Sequence, residues 1–350
     1  MLIDLKNAFS DKGNDNYTDD RHIERIIKSY ILSKQDQANA SACYQVGNEW
    51  MPIYARYMGE SIDALLNKNV GKVNKLFSNF FRESLSTGLH GLHFDMVDKY
   101  MTPGKPLLQQ DIDTYMGIVV TNLNLFLRSC PNVPVTSLVR PMIGNPYGFD
   151  IDGTFINLGA DIHFYTAQKI RMLLSGSGSP KVLELGGGYG GMAYFLMRDL
   201  PECTYIDFDL PENAALTAYY LLSAFPEKKI ALYGEVDIAT DDLDAYDAII
   251  LPNFEIERLK ENSIDLAFNA YSLAEMAPDT IANYVKTICK ASSKHFYHLN
   301  HAVHSLISAD LFPVDTEKFA LLFRFPSMWG KSKERNSDID EHEYVYVVKK

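Results

Sequence analysis

One stretch near the middle of the chain combines an acidic side chain with closely spaced glycines. Val182, Leu183 and Leu185 form a short apolar run that is interrupted by Glu184. The segment GGGYGG (186–191) follows, and beyond it apolar residues recur at helical spacing. Glycines permit positive φ and let a ligand lie against the backbone, while a helix N-terminus adds unpaired N–H groups. The pattern predicts a buried parallel strand, a tight turn and a helix that bind a nucleoside cofactor.

The acid indicates which cofactor the turn would hold. Gly186, Gly188 and Gly191 fit the dinucleotide pattern GxGxxG, whereas Gly186, Gly188 and Gly190 behind Glu184 fit the acid-x-GxGxG pattern of S-adenosylmethionine sites. A carboxylate would repel the pyrophosphate of NAD and attract the ammonium and sulfonium of S-adenosylmethionine. We therefore expect S-adenosylmethionine to contact Glu184 and these glycines. An NAD(P)-dependent oxidoreductase is the alternative.

A second β-rich run, CTYIDFDLP (203–211), ends in two acids. In nucleoside-binding folds, an acid about twenty residues after such glycines lies at the end of the second strand and accepts hydrogen bonds from the ribose hydroxyls of the cofactor. Asp209 is the preferred residue, and Asp207 is the alternative because side chains two apart on a strand share a face. Alternatively, one of the two acids has a purely structural role as the N-cap of the helix that follows.

Polar and aromatic residues follow the later predicted strands. Asn253 and Phe254, after the strand at 248–251, are placed to meet an adenine, with Gly234 and Glu235 as rivals. The strand that begins at Ile264 runs into a loop whose side chains would point near the transferable methyl. Those residues are Asn269 as a cofactor contact, Tyr271 and Ser272 as substrate contacts, and Glu275.

The fifth strand ends in a group of histidines, His298, His301 and His304, around Asn300. A histidine at a strand's carboxyl end beside a cofactor cleft is a good candidate for a general base, so His301 is expected to be the base. Glu275 would orient it or serve as the base itself, and Asn300 would contact the substrate.

Two further contacts are expected from residues that precede the glycine turn. Tyr165, on a predicted helix, would lie near the methionine carboxylate of the cofactor, and Arg140 would line the substrate cleft. The structural alternative for Tyr165 is a ring that packs in the core. For the region around Arg140, the alternative is that its glycine, asparagine and proline residues only form turns.

The elements that must position these groups predict an α/β chain with a helical N-terminal portion. Residues 1–131 read as an all-helical domain that serves as a lid or in dimerisation, and 132–160 as a connector rich in proline and glycine. Residues 161–350 read as the cofactor-binding domain, closed by an antiparallel hairpin of FALLFRF and EYVYVV.

Composition excludes several function classes. A net charge of −12 over 350 residues argues against nucleic acid as a partner, and no apolar run is long enough to span a membrane. Four scattered cysteines without a CxxC predict reduced thiols in the cytoplasm. The N-terminus does not resemble a signal peptide. No metal is expected. The spacing of His90, His93 and Asp95 does not define a complete set of metal ligands, and the acidic loop at 237–247 is typical of a solvent-exposed loop.

Several segments together resemble a known family. LELGGGYGGMAYFL, YIDFDLPENAALTAYYL, FNAYSLAEM and YHLNH, with IGNPYG upstream, resemble the sugar O-methyltransferases, over roughly residues 140–305. These are class I S-adenosylmethionine-dependent enzymes. The resemblance implies a Rossmann-like class I sheet and cofactor contacts at Glu184, Gly186, Gly188 and Asp209. It also implies site residues at Asn269, Ser272 and Glu275. The family often has Asn-Arg where this chain has Asn300-His301.

The expected function is therefore methylation of a hydroxyl of a sugar or glycan precursor. The methyl would move in line to an oxygen whose proton a nearby base removes. Alternatives are a non-sugar small molecule as acceptor, or a non-catalytic domain that binds the cofactor and assembles with a partner. The helical region would suit a homodimer.

Overall fold

The computed structural model of the protein describes residues 5–10, 18–48, 50–89, 108–303, 305–328 and 340–350. It contains two compact units, one made of Met1–Ile27 and Ile53–Thr166 and the other of Lys28–Pro52 and Ala167–Lys350. The predicted domain boundaries at residues 131 and 160 stay a prediction. Segment 28–52 belongs with the second unit and the predicted connector with the first, which hydrophobic patterning along the chain does not reveal.

Among its described residues, the chain up to Leu173 is predominantly helical, as the apolar periodicity predicts. Its helices are α1 (Asp20–Gln37), α2 (Trp50–Ile53), α3 (Gly59–Leu66), α4 (Val70–Phe77), α5 (Gln109–Ser129) and α6 (Ala160–Leu173), with a π-helix at Tyr54–Met58.

The first unit also contains a small antiparallel sheet in the order β1 (Leu5–Asn7), β2 (Gly148–Ile151) and β3 (Thr154–Asn157). The predicted first domain was expected to be entirely helical. Strand β1 departs from that expectation because it gains its ladder from a partner more than 140 positions away, with Leu5 opposite Ile151.

The second unit is built on an eight-stranded sheet in the order β10-β11-β9-β8-β4-β5-β7-β6. Its strands are β4 (Lys181–Leu185), β5 (Thr204–Asp209), β6 (Ile230–Leu232), β7 (Ala248–Pro252), β8 (Ile264–Ala270), β9 (Ser292–His301), β10 (Phe319–Pro326) and β11 (Glu341–Val348). Strands β4 to β9 pair in parallel, while β11 runs antiparallel to β9 and to β10.

Three main helices connect these strands: α7 (Gly191–Asp199), α8 (Pro211–Ala224) and α9 (Pro278–Ala291). Every residue of β5 and of β7 is buried, as expected for parallel strands that are covered on both faces. The α/β prediction and its Rossmann-like sheet are confirmed, and so is the closing antiparallel hairpin.

The order of the strands places the glycine turn at the point where the sheet changes direction. From β4 the chain moves outward through β5, and β8 then returns to the other side of β4. Ligands of doubly wound sheets bind at such a switch point, outside the carboxyl ends of the strands. Among the described residues, no helix is both long and apolar enough to cross a membrane.

Candidate active site

The glycine turn connects β4 to α7 in the predicted way. Gly186, Gly188 and Gly190 have φ values of +81°, +66° and +84°, a region that L side chains rarely adopt. The Gly186 N–H continues the ladder to Phe208 O at 2.9 Å. A Cβ added at Gly187 would lie 2.5 Å from Asp207 Oδ1, so the turn also needs glycine where the φ value is ordinary.

Two N–H groups of this turn already donate to carboxylates. Gly187 N–H donates to Asp207 Oδ1 at 3.1 Å, and Gly188 N–H donates to Asp209 Oδ2 at 2.9 Å. A dinucleotide site uses such N–H groups for its pyrophosphate. In this turn the N–H groups of Gly187 and Gly188 are already bonded to the carboxyl groups of Asp207 and Asp209, and are not available to a pyrophosphate.

Three buried acids lie together at this bend. Glu184 and Asp207 are register partners on β4 and β5, and Asp209 ends β5. Tyr205 donates its hydroxyl to Glu184 Oε2 at 2.6 Å. The acids were predicted one by one as cofactor contacts, and the structure brings them to the same turn.

Burial raises the pKa of all three carboxyls. Burial raises the pKa of Glu184 to about 8, against the lowering effect of the Tyr205 hydroxyl. Burial also raises the pKa of Asp209 to about 6, although the N–H groups of Gly188 and Leu210 lower it. For Asp207, burial and then the charges of Asp209 and Glu184 raise the pKa well above its usual value. A cationic ligand would favour the ionised forms of these groups.

The residues predicted to meet an adenine follow the neighbouring strand. Asp209 pairs in register with Pro252, so Asn253 and Phe254 come just beyond it. Asn253 donates to the Tyr284 hydroxyl at 2.9 Å and to Tyr44 O at 3.2 Å. Its buried Oδ1 has no hydrogen-bond partner among the described residues. Adenine contact by Asn253 and Phe254 stays a prediction.

Three predicted site residues form a network that joins the ends of β4, β8 and β9. Asn269 donates to Leu185 O at 2.8 Å and to Ser272 Oγ at 2.5 Å, and accepts from Asn300 Nδ2 at 2.9 Å. Asn300 Oδ1 in turn accepts from Ala274 N–H at 3.1 Å. Ser272 lies against the glycine turn, since a Cβ at Gly186 would be 2.6 Å from its Oγ. These amides hold the site in shape, and their contacts with ligands remain predictions.

The candidate base is oriented by an acid that the sequence reasoning missed. His301, at the end of β9, has its Nδ1 2.8 Å from Asp340 Oδ2, and its Nε2 makes no hydrogen bond to the described residues. Glu275, the predicted orienting carboxylate, is exposed in the turn Ser272–Glu275. Asp340 directly precedes β11, which pairs with β9, so the register of two strands forty residues apart is needed to find it.

Tyr271 holds a backbone conformation that is rare for a side-chain-bearing residue. Its φ is +62° and its ψ is −41°, a strained region that costs about 1–3 kcal/mol and clusters at functional sites. Its N–H donates to Leu299 O at 2.8 Å and its O accepts from Ala274 N–H at 3.0 Å, which fixes the strained turn. The structure therefore marks Tyr271, a predicted substrate residue, as a specially placed side chain.

Two predicted site residues, Arg140 and Tyr165, belong to the first unit. Arg140 is buried there, donates to Leu158 O at 2.8 Å and lies 3.1 Å from His163 Nδ1. Tyr165 is half-buried on α6. Their predicted roles in the substrate and cofactor sites stay predictions.

The remaining histidine and metal interpretations have separate outcomes. His90, His93, Asp95 and His304 lie outside the described residues. His298 is buried, stacks on Tyr344 at 4.5 Å and has its pKa lowered to about 3 by burial, which suits a core residue. Within the described ranges, no group of three or more His, Cys, Asp or Glu residues is arranged to hold a metal ion.

Comparison with known proteins yields likenesses of structure only. No family model and no curated protein matches the sequence. A magnesium protoporphyrin IX methyltransferase from Synechocystis PCC 6803, with bound S-adenosylhomocysteine, is 9% identical and has a TM-score of 0.38, over 56% of this chain and 89% of that one. The N-methyltransferase NodS from Bradyrhizobium japonicum WM9, with the same ligand, is 14% identical with a TM-score of 0.36, over 53% and 87%.

A third similar structure is a geranyl diphosphate C-methyltransferase from Streptomyces coelicolor A3(2), complexed with Mg²⁺, geranyl-S-thiolodiphosphate and S-adenosylhomocysteine. It is 8% identical, with a TM-score of 0.36 over 52% of this chain and 75% of that one. All three TM-scores lie below 0.5.

Proposed function

We propose that this protein is an S-adenosylmethionine-dependent O-methyltransferase that acts on a hydroxyl of a sugar or glycan precursor. The observation that carries the cofactor assignment is the pairing of the turn's N–H groups with buried acids. Gly187 and Gly188 donate to Asp207 and Asp209, so the bend offers acidic groups, which a cationic ligand would ionise, where a dinucleotide site offers N–H groups. A ligand with an ammonium and a sulfonium suits such a site.

The residues present fit this cofactor. Glu184, at the end of β4, would face its cationic methionine end, and Asp209, at the end of β5, would accept from its ribose hydroxyls. Asn253 and Phe254, after β7, would border the adenine. When bound, S-adenosylmethionine supplies an electrophilic methyl group.

The acceptor side of the proposal depends on His301. With its Nδ1–H directed at Asp340, the imidazole presents Nε2 as a proton acceptor. Nε2 would take the proton of the acceptor hydroxyl as its oxygen attacks the methyl. A new C–O bond then forms and the C–S bond breaks, with its electron pair left on sulfur. A positioned base of this kind contributes about 10²–10⁴-fold to the rate.

Oxygen, rather than nitrogen or carbon, as the methyl acceptor is supported by the candidate base and by the resemblance to sugar O-methyltransferases. A hydroxyl is a poor nucleophile while it keeps its proton, and His301 would relieve that problem. The cytoplasmic location stays a prediction, supported by four free cysteines. A homodimer also stays a prediction.

A methyl-transfer screen tests the proposed function. The protein would be incubated with S-adenosylmethionine labelled in the methyl group and with panels of free sugars, nucleotide-linked sugars, glycan fragments, amines and carbon acids. We expect labelled ether product and an equal amount of S-adenosylhomocysteine with at least one member. Product only on amines or carbon acids would contradict O-methylation, and cofactor binding without turnover on any member would favour the non-catalytic alternative.

A further inference from the structure

Two aromatic rings lie side by side where β8 and β9 end: Tyr271 follows β8, and His301 is the last residue of β9. The ring centroids of Tyr271 and His301 are 5.6 Å apart, with their planes inclined by 44°. His301 Nδ1 lies 2.8 Å from Asp340 Oδ2, and the Tyr271 hydroxyl donates to Glu341 Oε2 at 3.2 Å. Consecutive acids at the start of β11 therefore hold two rings that contact each other.

Both carboxylates are themselves fixed and buried. Asp340 Oδ1 accepts from Val303 N–H at 2.7 Å, and Asp340 O accepts from Ala302 N–H at 2.8 Å. Glu341 Oε2 also accepts from the Ser327 hydroxyl at 3.2 Å. Neither acid can turn away from its ring without breaking a second hydrogen bond, so each is preorganised.

We propose that Asp340 and Glu341 are positioning residues for the methyl transfer. Asp340 sets the tautomer of His301 so that Nε2 is the proton acceptor, and Glu341 holds the Tyr271 ring against the imidazole. This inference rests on the proposed function. After the hydroxyl proton reaches Nε2, the imidazolium carries one positive charge, which the Asp340 carboxylate stabilises until the proton leaves to solvent.

The second hydrogen bond of Asp340 makes the inference sharply testable. Oδ1 serves Val303 N–H, which only an oxygen can do. In Asp340→Asn the amide oxygen therefore keeps that partner, and the NH₂ group faces His301 Nδ1. Nδ1 must then accept, which moves the imidazole proton to Nε2 and removes the base. In Asp340→Ala the side chain at position 340 makes no hydrogen bond to the imidazole, so it favours neither the Nδ1–H nor the Nε2–H tautomer of His301.

Nitrogen-15 NMR of the histidine rings reads this tautomer without cofactor or acceptor. The His301 signals are assigned by their loss in His301→Gln. We expect the Nδ1–H tautomer in the wild type, the Nε2–H tautomer in Asp340→Asn and a mixture in Asp340→Ala. A wild-type tautomer in Asp340→Asn would overturn the role of Asp340, whether or not an acceptor has been found.

Two tyrosine variants provide a matched pair for Glu341. Tyr271→Phe removes the bond to Glu341, and Tyr297→Phe removes a similar bond from Tyr297, on β9, to Glu343 Oε2, which is 3.1 Å long. Glu343 lies two residues beyond Glu341 on β11. With an acceptor from the screen, we expect Tyr271→Phe to lower kcat about tenfold at unchanged KM, because the imidazole is less well placed. Tyr297→Phe is expected to keep wild-type kcat.

Equal kcat values for the two tyrosine variants would overturn the role of Glu341. If the tautomers behave as expected but no hydroxyl compound is methylated, the proposed function fails while the control of the tautomer by Asp340 stands. The two failures are thus distinguishable.

Discussion

Two polar regions of the second unit's sheet are assembled in opposite ways. One is the glycine turn, and the other, which we call the His301 edge, consists of Tyr271, His301 and Asp340 at the carboxyl ends of β8 and β9. At the turn, acids and N–H groups come from two short segments, 184–188 and 207–209, on adjacent strands. At the edge, His301, Tyr271 and Asp340 come from three distant segments and meet only through strand register. The turn is arranged to hold charge, whereas the edge is arranged to orient a ring.

This difference predicts two separate kinds of loss. Changes at the turn should weaken cofactor binding, because the acids would contact the cofactor throughout the reaction. Changes at the edge should lower turnover and leave cofactor affinity intact, because a base acts only as the methyl is transferred.

The largest effect is expected at the edge. His301→Gln should lower kcat by about 10²–10⁴-fold, since it removes the base, while calorimetry should show unchanged affinity for S-adenosylmethionine. Glu275→Gln tests the alternative base. Full turnover in His301→Gln together with a loss of that size in Glu275→Gln would move the role to Glu275.

An intermediate effect is expected at the turn. Asp209→Asn removes the charge that would accept hydrogen bonds from the ribose hydroxyls, and its NH₂ group cannot accept the N–H of Gly188 or of Leu210 that it then faces. Hydrogen bonds to charged groups are worth about 1.5–3 kcal/mol, so the Kd for S-adenosylmethionine should rise by about 10–100-fold in calorimetric titrations. The matched control is Glu261→Gln, an exposed acid that precedes β8 at the opposite end of the sheet. An unchanged Kd in Asp209→Asn would remove the ribose role.

A smaller effect, with a defined sign, is expected from pH. Burial raises the pKa of Glu184 to about 8 from an ordinary 4.5, so the free folded protein binds a proton that the unfolded chain releases. The contribution of Glu184 to stability should therefore fall as pH rises from 4.5 towards 8. Glu184→Gln, which can still accept from Tyr205, should raise the Tm of the ligand-free protein at pH 8 and change it little at pH 5.

The same carboxyl should make cofactor binding depend on pH. The cationic cofactor favours ionised Glu184, so affinity in the wild type should rise between pH 6 and pH 7.5, with proton release on binding. Glu184→Gln should bind more weakly and with a flatter pH dependence. Equal slopes in the two proteins would show that Glu184 is not part of the charge that the cofactor meets.

The sequence was sufficient where chemistry and position are local. The apolar run, Glu184 and the glycines lie within ten residues, and Asp207 and Asp209 end a strand that had to pair nearby, so the turn was predicted almost residue by residue. The parallel sheet and its closing hairpin followed from apolar runs and their spacing.

What the sequence could not provide is register and long-range partnership. Asp340 was missed because it precedes a strand whose pairing with β9 decides which acid reaches His301. Asn269 and Asn300 were predicted as ligand contacts from their places at the carboxyl ends of β8 and β9, whereas their amides bond chiefly to each other and to the backbone. The strain at Tyr271 is a backbone property that its residue type conceals.

The central claim is that buried acids at a glycine turn select a cationic nucleoside over an anionic one. Titration calorimetry of the unmodified protein with S-adenosylmethionine and with NADH, at the same pH and salt concentration, tests it most directly. We predict saturable binding of S-adenosylmethionine at one site and no competition by NADH. The account would be contradicted if NADH bound and S-adenosylmethionine could not displace it. It would also be contradicted if S-adenosylmethionine failed to bind the wild type while NADH still bound Asp209→Asn.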